Sequence, residues 1–452
     1  MQSGVIGINY WYQVTGGVTF AFDLRKRRFI TVAGDDPKGA VKAVRELDSV
    51  GERELHRSTR SAVSRMKISS SGACARDCTY CFRGDRRSEP VPEQVAQQAL
   101  ETLVETLGPD APRYEIYYDA GSQPLEHHAR LAFLLDASAQ LEARSGKRIV
   151  WRVATDGGET GRAAAILERI RDAGGSVVVR IDGPQDVHNR ARVHRNGHVS
   201  HEQALATLEL ARKLSVPVEG EAIITGDHPF PVRVLTYLRD LGCSRVATRP
   251  VRSNRVYDLE INRFKTGYEN LFSLLRRAVH SGQQEVFELL RNDQALAPLW
   301  RLLPGLENQA LQRPEMVVDA KGFLHVCDRL VGSQSRVVGS LEDGIDWNAV
   351  DRDPEVVPRN PCSHCWARFA CGGACRLTGI YKNYAPQSVD RLPCEFNEFL
   401  VQKNLELIAC AAAPVNRLEL IREGLLAAVT ASGSQGHTDR AEATDSVNAR
   451  AG

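Results

Sequence analysis

The sequence predicts an α/β fold: a βα barrel, partial or full, followed by a cysteine-rich extension. Between residue 64 and about residue 255, apolar strand-like runs alternate with helical stretches, the rhythm of repeated βαβ units and a parallel sheet. The eleven cysteines are clustered, three at 74–81 and six between Cys327 and Cys394, with Cys243 and Cys410 alone. The first cluster follows the first strand directly, and a barrel gathers its chemistry at the C-terminal ends of its strands.

Each element has its own signal. Residues 1–60 read as a small preface, in which VTFAFDL and RFITVAG flank the basic turn RKRR as a hairpin and PKGAVKAVRELDSV has helical spacing. Residues 61–255 hold the barrel, with strands at 65–71, 114–120, 148–156, 176–182, 218–225 and 245–251. The helices between them include EHHARLAFLLDASAQLEARSG and TGRAAAILERIRDAGG, and several end in Gly or Ser where a stop is expected. Residues 256–315 read as a helical bridge. Residues 316–412 carry short strands, loops and the second cysteine cluster, closed by a helix near CEFNEFLVQKNLELIAC. Residues 413–452 read as a C-terminal helix and a tail, ASGSQGHTDRAEATDSVNARAG, with almost nothing to bury, expected to be disordered.

Composition narrows the function. Apolar residues are 42% and charged residues 25% of the chain, a globular balance, and no apolar run is long enough to span a bilayer. The N-terminus lacks a basic start followed by an apolar stretch, so a cytoplasmic location is expected. A net charge of +2 gives no general field for polyanions, and nucleic acid is not the expected partner. An odd number of clustered cysteines in a reducing compartment points to metal or cluster ligands, not to disulfides.

The stretch SGACARDCTYCFRG places Cys74, Cys78 and Cys81 as C-x3-C-x2-C. Three thiolates from one loop can hold three corners of a [4Fe–4S] cubane and leave the fourth iron open. Zinc is the alternative, but a structural zinc site wants four closed ligands and no fourth is nearby in the chain.

CARDCTYC resembles the signature of the radical S-adenosylmethionine (radical SAM) enzymes. The resemblance implies a partial (β/α)6-type barrel whose cluster binds SAM at its open iron. An electron from the reduced cluster then splits SAM into methionine and a 5′-deoxyadenosyl radical, which takes a hydrogen atom from substrate. By position Tyr80 would lie against the adenine. GSQPL resembles the glycine-rich stretch that meets the SAM amino group, which assigns Gly121, Ser122 and Gln123 to the cofactor; Gln123 stands where a carboxylate is usual. RIDGPQDVHNRAR resembles the stretch after strand four in the branch that carries a C-terminal cysteine extension. It assigns Asp182 and Arg192 to the cofactor site, with Arg180 in the place of a serine. An ordinary turn after a strand would also account for Asp182, Gly183 and Pro184.

PCSHCWARFACGGAC, with Cys394 beyond it and GFLHVC before it, resembles the SPASM extension of these enzymes. The family carries two auxiliary [4Fe–4S] clusters there. Carried over by position, Cys362, Cys365, Cys371 and Cys394 would hold the outer one, and Cys327 and Cys375 part of the inner one. The family motif has further cysteines before the G-x4-C element, whereas none lies between Cys243 and Cys327 here. Three outcomes follow for the inner site: empty, completed by other ligands or substrate, or two idle cysteines. His325 and Asp328 are the nearby alternatives, though such a residue beside a cysteine is usually solvated or hydrogen-bonded.

Asp328 matches the position of a general base in sulfatase-maturing relatives, against the plainer reading of an exposed loop aspartate. The stretch around Cys327 is similar to SPASM enzymes that modify ribosomal peptides. The resemblance thus implies a maturase that crosslinks a precursor peptide through a C–C or C–heteroatom bond, reduced by a flavodoxin or ferredoxin. Alternatives are oxidation of a small alcohol or amino sugar, sulfatase-maturase-like oxidation of a protein side chain, and an iron–sulfur carrier without SAM chemistry. The preface hairpin could add a leader peptide as a strand.

Overall fold

The computed structural model describes residues 2–47, 64–69, 76–81, 91–107, 111, 113–119, 125, 127–158, 160–193, 197, 199–251, 261–303, 306, 315–328, 331, 337–352, 360–371, 391–412 and 417–431. The first body is an antiparallel meander of β1 (Gln2–Ile6), β2 (Tyr10–Thr15), β3 (Val18–Asp23) and β4 (Arg28–Ala33). The sequence pattern marks the β3–β4 hairpin but not β1 or β2. Gly16 and Gly17 turn β2 into β3 at φ 57° and 74°, the left-handed pair that a two-residue hairpin needs. The helix Pro37–Glu46 starts at Asp36, whose side chain accepts from Gly39 N at 2.9 Å. Its Ala40, Val41 and Val44 pack on Ala21. Trp11, Phe20 and Phe22 join the main core instead, so the meander is covered on both faces.

Six parallel strands follow: β5 (Arg65–Ser69), β6 (Arg113–Asp119), β7 (Arg148–Thr155), β8 (Ser176–Arg180), β9 (Val218–Ile224) and β10 (Arg245–Pro250). All six match the strands expected from the sequence. The next strand was not expected to join them. β11 (Glu315–Val318) pairs parallel to β5, and β12 (Phe323–His325), β13 (Gly339–Ser340) and β14 (Gly344–Ile345) continue antiparallel. One ten-stranded sheet results, in the order β10-β9-β8-β7-β6-β5-β11-β12-β13-β14, an open barrel continuous with its extension.

Strand alternation sorts its side chains. Met66, Ile68, Ile116, Tyr118, Trp151, Val153, Val177, Val179, Ala222 and Ile224 lie in the apolar core, into which the helices His128–Ser145, His201–Lys213 and Pro231–Asp240 pack. The alternate positions carry Lys67, Glu115, Asp119, Arg152, Arg180, Glu219 and Glu221, linked across strands by ion pairs, with Tyr117 beneath Lys67 and Arg152. The barrel interior is therefore charged and its outside apolar.

The helix Ile261–Ser281 lies along Arg391–Ala412, with Tyr268 edge-on to Phe396 at 5.1 Å. On another side of the same helix, Gly267 permits a close approach to the loop before Pro231–Asp240, since a Cβ would sit 1.7 Å from Pro229 O. No helix among the described residues is long and apolar enough to cross a membrane.

Candidate active site

The loop after β5 is tied to the loop after β8. Asp77 N donates to Val193 O at 2.6 Å and Thr79 N to Ala191 O at 2.9 Å. Cys81 N donates to Cys78 O at 3.0 Å, a turn that places both half-buried thiols on one short loop. Arg76 is 1% exposed and donates to Asp156 O at 3.0 Å and Gln203 Oε1 at 3.1 Å, anchoring the loop from below.

Asp182, just past the end of β8, is the hub. It is 1% exposed. It accepts from Arg192 Nε at 2.9 Å and Nη2 at 3.1 Å, from Tyr80 OH at 2.5 Å and from Ile223 N at 2.9 Å. Burial alone would raise its pKa, but Arg192 and His188 outweigh that and hold it below the usual carboxylate range. Arg192 also donates to Asp156 Oδ1 at 2.8 Å. Tyr80, Asp182 and Arg192, three of the residues expected at the cofactor, thus form one buried cluster.

His188 supports the hub from behind. Its Nδ1 accepts from Asp182 N at 3.2 Å and its Nε2 meets Ser200 Oγ at 2.9 Å. Burial pushes its pKa down to about 3, so it is neutral. Cys78 is pushed up to about 12, chiefly by burial, with Arg192 opposing and Asp156, Asp182 and Cys81 adding. A thiol so placed ionises only against a strong local cation, which is what the irons of a cluster provide, so the two described cysteines fit the group. Cys74, Gly121, Ser122 and Gln123 lie outside the described residues.

Arg180 points into the barrel network. Its Nη2 lies 2.8 Å from Asp119 Oδ2 and its Nε 3.7 Å from Glu221 Oε1. Lys67 joins the same network, with Nζ 2.6 Å from Asp328 Oδ2 and 3.3 Å from Asp119 Oδ2. Burial works against the charge on Lys67, but Asp328 and Asp119 outweigh it and its pKa rises. Asp328 is thus not a free loop carboxylate: it meets the first barrel strand through an ion pair. Deeper down, Arg152 pairs with Glu219 at 2.6 Å and Glu115 at 3.2 Å. Burial would raise Glu115, but Arg65 and Arg152 bring it down to about 2. Sequence reasoning missed Lys67, Arg76, Asp119 and Asp156. The signal was present in RMKIS and YEIYYD, where polar residues recur at every second position of otherwise apolar strands.

In the extension, Cys362, Cys365, Cys371 and Cys394 are half-buried. The short helices Asn360–Ser363 and Arg368–Cys371 and the first turn of Arg391–Ala412 position three of them, and Cys365 N donates to Cys362 O at 3.1 Å. Burial and Glu398 push Cys394 up to about 12, and Cys371, Cys365 and Cys362 add to the effect, so the four thiols are electrostatic neighbours. Glu398 Oε1 lies 3.6 Å from Cys365 Sγ and 4.0 Å from Cys394 Sγ. Among the described residues no three Cys, His, Asp or Glu side chains converge tightly enough to hold a single metal ion. The all-thiol donor set fits an iron–sulfur cluster.

Cys327 Sγ lies 3.7 Å from Asp328 Oδ1. His325 is buried, with Nε2 3.0 Å from Asp319 Oδ2, so it is not solvated. Cys375, its expected neighbour at the inner site, lies outside the described residues.

Residues 68–230 match the model of the radical SAM superfamily. No curated protein matches the chain. Several solved structures share its fold. The structure of anSMEcpe with bound AdoMet aligns at a TM-score of 0.62 and 17% identity, covering 80% of this chain and 98% of that one. The same protein with AdoMet and a Cp18Cys peptide aligns at 0.61 and 16%, covering 77% and 98%. Streptococcus suis SuiB bound to S-adenosylmethionine aligns at 0.51 and 12%, covering 74% and 77%. At these identities the likeness is one of fold.

Proposed function

Because the chain carries a radical SAM domain at residues 68–230, we propose that it is a radical SAM/SPASM peptide maturase. It would cleave SAM reductively, take a hydrogen atom from one residue of a ribosomally made precursor peptide and close an oxidative crosslink. The observation that carries this reading is the joining of the cysteine loop to the Tyr80–Asp182–Arg192 cluster at the strand ends, above a charged barrel interior that reaches Asp328.

When bound through Cys74, Cys78 and Cys81, the reduced cluster supplies the electron that splits SAM. The remaining work falls to side chains of this chain. Arg192 and Tyr80, fixed by Asp182, orient SAM beside the cluster loop, with Gly121, Ser122 and Gln123 completing its cradle. Asp328, paired with Lys67, accepts the proton released as the substrate is oxidised. The thiols at 362, 365, 371 and 394 would hold an auxiliary cluster able to take up the substrate's electron. A flavodoxin or ferredoxin would be the reductant.

The fold shared with anSMEcpe, solved with a Cp18Cys peptide, supports a peptide as substrate. It also favours one second reading, oxidation of a protein side chain without a crosslink. Incubation with SAM, dithionite and candidate peptides tests both. A crosslinked product loses two hydrogen atoms and resists fragmentation between the joined residues; an oxidised side chain loses them and fragments normally. Absence of 5′-deoxyadenosine under these conditions refutes the enzyme class.

A further inference from the structure

His325 sits at the end of β12 and is 1% exposed. Its Nε2 faces Asp319 Oδ2 at 3.0 Å. Asp319 Oδ1 already accepts from the backbone N–H of Lys321 at 2.9 Å and of Phe323 at 3.0 Å, so the carboxylate is the acceptor and the ring must donate. In neutral imidazole that fixes the proton on Nε2 and leaves a lone pair on Nδ1. Nδ1 is buried and has no hydrogen-bond partner among the described residues. A buried acceptor without a donor costs free energy and calls for an explanation. One ring nitrogen held by a carboxylate and the other bare is the arrangement of a metal-ligating histidine.

The position agrees. His325 lies two residues before Cys327, within the element GFLHVC, and no cysteine lies between Cys243 and Cys327 to complete an all-thiolate inner site. In the sheet His325 pairs with Val317, and Val317 with Lys67. Lys67 Nζ in turn meets Asp328, the residue after Cys327, at 2.6 Å. His325 and Cys327 therefore both border the part of the barrel where substrate would be oxidised.

We propose that His325 Nδ1 is an iron ligand of the inner auxiliary cluster, beside Cys327. The inference rests on the radical SAM/SPASM reading and deepens it. A neutral imidazole in place of a thiolate removes one negative charge from the cluster and raises its potential, as histidine ligation does in other iron–sulfur centres. A cluster so poised accepts an electron from an oxidised substrate more readily than one held by cysteine alone.

The test uses the full chain carrying Cys74→Ala, Cys78→Ala and Cys81→Ala, reconstituted anaerobically with iron and sulfide, so that only auxiliary centres report. About eight irons per chain are expected, two cubanes' worth. After dithionite reduction, pulsed EPR should show the nitrogen-14 coupling of a directly bound imidazole. His325→Cys should keep the iron, lose that coupling and lower the cluster's midpoint potential; Cys327→Ser should lose the coupling together with about four irons. About four irons in the starting variant overturns the proposal, as does the full complement without nitrogen coupling. Coupling that persists in His325→Cys overturns it too. A His325–Asp319 pair that only pins the hairpin predicts no coupling at all. Because the coupling is read first with His325 intact, the outcome does not depend on how the substituted protein folds. The enzyme class is judged separately, by 5′-deoxyadenosine formation in the unsubstituted chain.

Discussion

Replacing Asp182 by Asn tests how the proposed cofactor site is held. The substitution keeps the shape but turns one carboxylate oxygen into an NH2 group. Each oxygen of Asp182 now faces two donors, Arg192 Nε and Tyr80 OH on one, Arg192 Nη2 and Ile223 N on the other. Whichever way the amide turns, its NH2 meets at least one N–H of Arg192 or Ile223 head-on. Arg192 also loses its two-pronged counter-charge in a buried place and keeps Asp156 at 2.8 Å. Breaking a buried ion pair from one side costs about 3–5 kcal/mol, and the remaining Asp156 contact argues for the lower end, about 3 kcal/mol. That is roughly a hundredfold in the unfolding equilibrium. Urea unfolding of the iron-free protein, wild type against Asp182→Asn, measures it. The same variant should bind SAM more weakly after reconstitution, because Arg192 and Tyr80 lose their common anchor. A loss of stability below about 1 kcal/mol, the scale of an exposed pair, would refute the hub.

Other outcomes follow from the same geometry. His188 is neutral when folded, at about 3 against an ordinary 6.5, so its contribution is complete above 6.5 and drains as pH falls toward 3. Between pH 6.5 and 5 this group should cost roughly 2 kcal/mol in urea titrations, and a His188→Gln protein should lack that share of the slope. Cys81→Ala should abolish 5′-deoxyadenosine formation, and cleavage that persists would remove the cluster from the loop after β5. Asp328→Asn should leave 5′-deoxyadenosine yield near wild type while modified product falls by about a hundredfold or more, as loss of a general base does; equal product would end the base role. Lys67→Met should lower product yield in the same direction, because Asp328 then loses the cation 2.6 Å from it and is more easily neutralised.

The sequence was most legible where periodicity and spacing act locally. The six barrel strands are runs of apolar residues long enough to be read, and the cysteine spacings announce their chemistry without a fold. β1 and β2 were missed because QSGVI and YWYQVT show weak alternation, although the Gly16–Gly17 pair between β2 and β3 marks a hairpin. The attachment of β11 to β5 could not be read, because a strand of four residues carries almost no pattern and the choice of partner is decided by the whole sheet. Lys67 and Asp119 escaped for a different reason. Polar residues alternating with apolar ones in a strand look like a solvent-facing side, and only closure of the sheet reveals that this face is a polar interior. Asp182 and Arg192 are visible by resemblance, but that Asp182 fixes Arg192, Tyr80 and β9 together is a fact of packing. A histidine beside a cysteine, such as His325, reads as solvated or hydrogen-bonded; only its burial shows one nitrogen left over.

The pairing of β5 with β11 joins residues some 250 positions apart in the chain. During synthesis, the edge of β5 that will receive β11 stays bare after the other five barrel strands have emerged, and it is an unprotected strand edge of the kind that recruits other chains. The extension is therefore also the barrel's closing piece in time. A protein cut before Glu315 would keep every strand of the radical SAM domain and still expose Arg65, Lys67 and the backbone of β5, without Glu315 to pair with Arg65 at 3.3 Å. Such a fragment should collect in inclusion bodies, whereas one ending after β14 seals that edge. The extension would then be required for a soluble barrel, which ties the two parts of the chain together in folding.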